Sequence, residues 1–102
     1  LWRYCEELPL ADPNIIISIG EGMTSLVLDI LDFCQHWFNL DYIFPTGSYK
    51  DRGASVLISK AYELGIDRVI EDSSGNAGAA IAAYSARANI DCIIYCNCDT
   101  HA

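Results

Sequence analysis

Lysine is scarce in this sequence: there are two, Lys50 and Lys60, and the six basic residues face fourteen acidic ones for a formal net charge of -8. That balance gives no long-range attraction to nucleic acid or to an anionic membrane, so any phosphate contact has to be local. No uninterrupted apolar run approaches the roughly 18 residues of a membrane span, and no basic-then-apolar leader precedes a small-residue cleavage site. Cytoplasmic residence is therefore expected. The single methionine is Met23, and the chain opens on Leu1 and stops at Ala102. It reads as at most one domain, and as an excised part of a longer protein. The five cysteines, Cys5, Cys34, Cys92, Cys96 and Cys98, are odd in number and lack a framework spacing, which argues against a disulfide scaffold. Cys92 and Cys96 lie in an apolar run and read as small core hydrophobes. A zinc site built from Cys96, Cys98 and His101 would have three bunched ligands and no distant second pair, so no metal is expected.

What the sequence does have is apolar content, 52% of residues, arranged in alternating strand-like and helix-like stretches. That pattern predicts a folded α/β region. Residues 1–10 lack a period and read as an arm or short helix packed by Trp2 and Tyr4. Ile15, Ile16 and Ile17 suit a short buried strand. Gly20, Glu21 and Gly22 then read as a plain turn, with Thr24 as a cap for the next segment. Residues 27–38 fit a buried helix as well as two strands with a turn. Leu40 to Phe44 is β-prone and is stopped by Pro45. From Asp51 the spacing of Ala54, Leu57, Ile58, Ala61 and Leu64 predicts one face of a helix, with Gly65 as its C-terminal stop. A strand over 67–72, a turn over 73–76, an alanine-rich helix over 77–88 and a strand over 91–96 follow. This order predicts a parallel sheet with flanking helices, whose ligands bind beyond the carboxyl ends of the strands. Residues 1–39 would form a leading arm and segment, and 40–102 part of an α/β domain.

Two loops carry candidate chemistry. Lys50 ends the run Phe44-Pro-Thr-Gly-Ser-Tyr-Lys and opens a helix. Its amine can form a Schiff base with a carbonyl if it is neutral part of the time, which burial, the helix N-terminus and Arg52 would favour and Asp51 would oppose. A solvated lysine in a first helical turn accounts for the same residue. The second loop, Ser73, Ser74, Gly75 and Asn76, offers backbone N–H groups, hydroxyls, an amide and a helix N-terminus to a carboxylate or phosphate. An ordinary capped turn has the same composition. Gly78, just inside that helix, predicts a close approach of some other group.

Together, PTGSYKDRG and SSGNAG resemble the fold-type II (tryptophan synthase beta-like) family of pyridoxal-phosphate enzymes, and most closely the threonine synthases, which the LWRY opening and GEGMTSL also resemble. The resemblance implies pyridoxal 5'-phosphate as cofactor, with Lys50 as its catalytic Schiff-base lysine and Asn76 beside the ring hydroxyl. It also implies that Ser73, Ser74, Gly75, Asn76 and Ala77 hold the carboxylate of an amino-acid substrate. The implied activity is a lyase reaction of threonine biosynthesis, O-phosphohomoserine to threonine plus phosphate, by a homodimer when full length. Serine/threonine dehydratases and cysteine-synthase-like β-replacement enzymes share these motifs, and a non-catalytic anion-binding fragment would keep them without activity. Phe44, Tyr49 and Ser25 depart from the residues frequent in the family. The glycine-rich loop for the cofactor phosphate and the partner of the pyridine nitrogen would lie beyond residue 102, so the fragment alone is expected to be inactive.

Overall fold

The structure is a computed structural model and describes residues 1–100. It comprises β1 (Leu26–Leu31), β2 (Cys34–Asn39), α1 (Lys50–Glu63), β3 (Arg68–Asp72), α2 (Asn76–Ala88) and β4 (Asp91–Tyr95), with short 3-10 helices at Trp2–Glu7 and Asp41–Ile43. The strands β3 and β4 pair in parallel, Ile70 opposite Ile93, and α2 is the crossover between them. α2 packs on β3 and β4, and α1 packs on α2. The core lies in these layers: Ala54, Ile58 and Ala61 of α1 meet Ala80, Ile81, Tyr84 and Ala88 of α2, with Ile90 beneath.

The expected parallel sheet with flanking helices is thus only partly present. The parallel part is two strands, covered by helix on one face, while Ile70, Ile93 and Tyr95 on the other face are exposed. The second sheet is an antiparallel hairpin. Residues 27–38 resolve into β1 and β2 with Leu28 opposite Trp37, because Asp32 and Phe33 both take positive φ, 50° and 63°. Two such residues twist a two-residue turn in the sense that strands require.

Three sequence expectations give way to local bonding. Ile15 to Ile17 is extended but joins no sheet, since side chains of α1 take its backbone groups. Ile17 N–H donates to Ser59 Oγ at 2.8 Å, and Ile17 C=O accepts from Ser55 Oγ at 2.7 Å. Leu40 to Phe44 is a 3-10 turn, held by Ile43 N–H to Leu40 C=O and Phe44 N–H to Asp41 C=O, both 3.3 Å. Thr24 caps no helix; its hydroxyl meets the side chains of Asn39 and Arg52. In the opening arm Trp2 is half-buried, whereas Tyr4 is exposed.

The helices follow their sequence signals more closely. Gly65 stops α1 at φ 70°, with Ile66 N–H returning to Ala61 C=O at 2.9 Å, as a left-handed terminator does. Within α1 the buried face is Ala54, Ser55, Ile58, Ser59 and Ala61, while Leu57 and Leu64 are exposed. The face is therefore rotated toward two serines. Asn89, at φ 56°, terminates α2. Of the cysteines assigned to the core, Cys92 packs against it, but Cys96 is exposed. His101 lies outside the described residues.

Candidate functional site

The loop over 44–50 is held from below by the helix it opens. Asp51, with no exposed surface, accepts the Thr46 N–H at 2.8 Å and the Thr46 hydroxyl. A carboxylate in the first turn of a helix is also favoured by the free N–H groups there. Ser48 Oγ accepts the Lys50 N–H at 3.1 Å. Arg52 turns away from Lys50: its guanidinium pairs with Asp41 at 3.1 Å and lies 4.6 Å from the Phe44 ring centroid. The chain thus places Lys50 by fixing the residues on both sides of it.

Lys50 itself is exposed rather than buried, with Nζ 4.7 Å from the Tyr49 ring centroid. Of the groups expected to act on its amine, burial is therefore absent, Arg52 is committed to Asp41, and Asp51 to Thr46. Lys50 is the first residue of α1.

The second loop sits at the carboxyl end of β3, where Ser73 N–H extends the ladder to Tyr95 C=O at 3.1 Å. Ser73 Oγ accepts the Gly75 N–H at 3.3 Å, so that group is already engaged. Asn76 and Ala77 open α2, whose first-turn N–H groups have no partner within the helix. Ser74, Gly75 and Asn76 are exposed. The close approach expected at Gly78 is made by the chain itself: a Cβ there would stand 2.8 Å from the Ser73 carbonyl oxygen. Of the second loop's candidates only Ala77 shares a cleft with the lysine: about 190 Å³ in volume, it is lined by Lys50, Gly53 and Ala54 of α1, Ala77 and Ile81 of α2 and Glu71 of β3, and Ser73, Ser74, Gly75 and Asn76 do not line it. Ser73, Ser74 and Gly75 line a neighbouring cavity of about 310 Å³, on the side of α2 nearer β4, with Gly78, Ile94 and Cys96.

Sequence reasoning passed over Glu21. It is 6% exposed and accepts hydrogen bonds from Trp2 Nε1 at 2.7 Å, Ser18 Oγ at 3.0 Å, Ile19 N–H at 3.1 Å, Ser55 Oγ at 2.6 Å and Tyr84 OH at 2.8 Å. Burial raises its pKa, but the hydrogen bonds from Ser55, Tyr84 and the backbone outweigh burial and hold it below the usual carboxylate value. Burial and the adjoining Glu21 carboxylate push the Tyr84 phenol up. The signal available was Ser55 and Ser59 where the apolar stripe of α1 should run, which calls for a buried polar partner.

The residues present fit the aldehyde end of a pyridoxal phosphate molecule: a primary amine, Lys50, at one wall of a cleft, with Ala77 in the first turn of α2 at the other; the hydroxyls of Ser73 and Ser74 stand in the neighbouring cavity. Comparison with known proteins agrees. The family model described as pyridoxal-phosphate dependent enzyme matches residues 17–102. The chain is 40% identical over 99 residues to the threonine synthase of Methanocaldococcus jannaschii, covering 92% of this chain and 24% of that one. It is 38% identical over 99 residues to the threonine synthase of Halalkalibacterium halodurans, covering 92% and 28%, and 38% over 104 residues to that of Synechocystis, covering 87% and 26%. The chain spans about a quarter of the length of these curated relatives. The match over 17–102 takes in both loops and every helix and strand from β1 onward, and this chain belongs to the family of pyridoxal-phosphate dependent enzymes.

Proposed function

We propose that the intact protein is a threonine synthase, a carbon–oxygen lyase that eliminates phosphate from O-phosphohomoserine and adds water to give threonine. The observation that carries this reading is the single cleft shared by Lys50 and Ala77, each at the N-terminus of its own helix, together with relatives named threonine synthase. When bound, pyridoxal phosphate supplies an electron sink for carbanion chemistry.

Lys50 would hold the cofactor through Nζ, and once displaced by the amino group of the substrate its free amine would carry protons between the substrate carbons. An exposed lysine at a cleft wall is free to swing between these two tasks. Ser73, Ser74, Gly75, Asn76 and Ala77 would bind the substrate carboxylate, which the unpaired N–H groups of the first turn of α2 favour electrostatically. Asn76 would in addition donate its side-chain amide to the cofactor's ring oxygen. The Asp51–Thr46 bonds orient the lysine loop and take no part in proton transfer.

The test uses the full-length protein. Borohydride treatment after addition of pyridoxal phosphate should fix a pyridoxyl group on Lys50, read by peptide mass, and Lys50→Ala should abolish it. Phosphate should then be released from O-phosphohomoserine in step with threonine formation. Elimination from serine or threonine alone would make the protein a dehydratase, β-replacement on a serine derivative a cysteine-synthase-like enzyme, and cofactor labelling elsewhere than Lys50 would remove the catalytic assignment. Light scattering on the same sample should give a homodimer.

A further inference from the structure

Glu21 gathers hydrogen bonds from the opening arm, from its own turn, from α1 and from α2. The two helices it joins are those whose first turns carry Lys50 and Asn76. Their mutual face sets Ala54, Ala61, Ala80 and Ala88 beside three larger residues, Ile58, Ile81 and Tyr84. Alanine offers few ridges to lock into grooves, so packing resistance to sliding along the helix axis falls on Ile58, Ile81 and Tyr84 alone. A carboxylate that accepts from Ser55 of one helix and Tyr84 of the other resists it well, because a slide of one residue, about 1.5 Å, breaks bonds to a buried charge. Ser55 lies about 7 Å along α1 from Lys50, and Tyr84 about 12 Å along α2 from Asn76, close enough for a rigid helix to transmit its position to its first turn.

We propose that Glu21 is a positioning residue: it fixes the axial register of α1 against α2, and through it the separation of Lys50 from the loop at 73–77. The inference rests on the functional reading above for its catalytic consequence, but its structural content stands apart from the cofactor. Ser55 Oγ has one proton and two acceptors, Glu21 Oε1 at 2.6 Å and Ile17 C=O at 2.7 Å. The link from Glu21 to α1 is closed when that proton points to the carboxylate and open when it points to Ile17 C=O.

The experiment compares full-length wild type with Glu21→Gln, Tyr84→Phe and, as a core control away from the carboxylate, Ile90→Val. Hydrogen exchange is followed at the hydrogen-bonded amides of 50–52 and of Ala79, alongside kcat/KM and Tm. Glu21→Gln should speed exchange at both first turns and lower kcat/KM by about ten- to a hundredfold, as expected of a displacement near 1 Å. Tyr84→Phe, which removes one bond, should do the same to a smaller extent and covers the case in which Glu21→Gln fails to fold. Ile90→Val should lower Tm without selective exchange at these turns. Equal exchange in all variants, or a loss of kcat/KM that tracks Tm alone, overturns the inference. If wild type fixes no pyridoxyl group on Lys50, the functional reading falls, and the exchange pattern still decides whether Glu21 sets the register.

Discussion

A Cβ on Gly78 would stand 2.8 Å from the Ser73 carbonyl oxygen and 3.2 Å from Ile94 Cγ2, so α2 could not lie so close to its own loop with any other residue there. Gly78→Ala must push backbone aside and should cost about 1–3 kcal/mol by denaturant titration. Gly53→Ala is the counterpart: it stands inside α1 with open space around it and should gain about 0.5–1 kcal/mol. Glu21 contributes to the acid limb of stability. Its folded pKa is lowered from the usual 4.5, so the unfolded chain binds the proton more readily. The stabilisation is present above pH 4.5 and is lost as pH falls through the lower folded value. Glu63 is shifted in the same direction, chiefly by its bond with Lys60. Glu21→Gln should flatten the fall in the urea midpoint as pH drops below 4.5, and an unchanged slope would show that other carboxylates govern it.

Elements whose signals are local were legible in the sequence. The helices α1 and α2 announce themselves by spacing, by Gly65 and by the turn before Asn76, and Lys50 and the 73–77 loop fall at their first turns. What was not legible depends on partners far along the chain. Ile15 to Ile17 has strand composition but is bonded by serines of α1, and Glu21 is visible as a hub only once Trp2, Ser55 and Tyr84 surround it. The arm is tied down in the same manner: Glu63 near the end of α1 accepts the N–H groups of Ala11 at 2.7 Å and Asp12 at 3.0 Å. Glu63→Ala should leave α1 folded and raise exchange at those two amides alone. Asp51→Ala acts on the lysine loop instead. It orphans the Thr46 N–H and should cost about 1–3 kcal/mol, with the loss read by urea titration; a smaller loss would mean that water replaces the carboxylate.

At the scale of the whole molecule, residues 1–100 form a slab. Its extents are 52 × 41 × 17 Å and its radius of gyration is 15.9 Å, against about 13 Å for a compact domain of this length. The excess comes from elements that bury little among themselves. Two-stranded hairpins are marginal alone, yet β1 and β2 expose Leu26, Ile30, Leu31 and Trp37 along with Phe33 at their turn. Exposed apolar residues in that number mark surface meant for cover, and the chain spans about a quarter of its relatives' length. Trp37, 62% exposed here, separates the two situations. In residues 1–102 alone Trp37→Ala should change stability by less than about 0.5 kcal/mol, as surface substitutions do. If further chain covers the hairpin in a longer protein, the same change there should cost about 3–5 kcal/mol, the loss expected of a buried tryptophan. A small effect in both would show that the hairpin faces solvent in the intact enzyme, and that its apolar residues await something other than the protein's own chain.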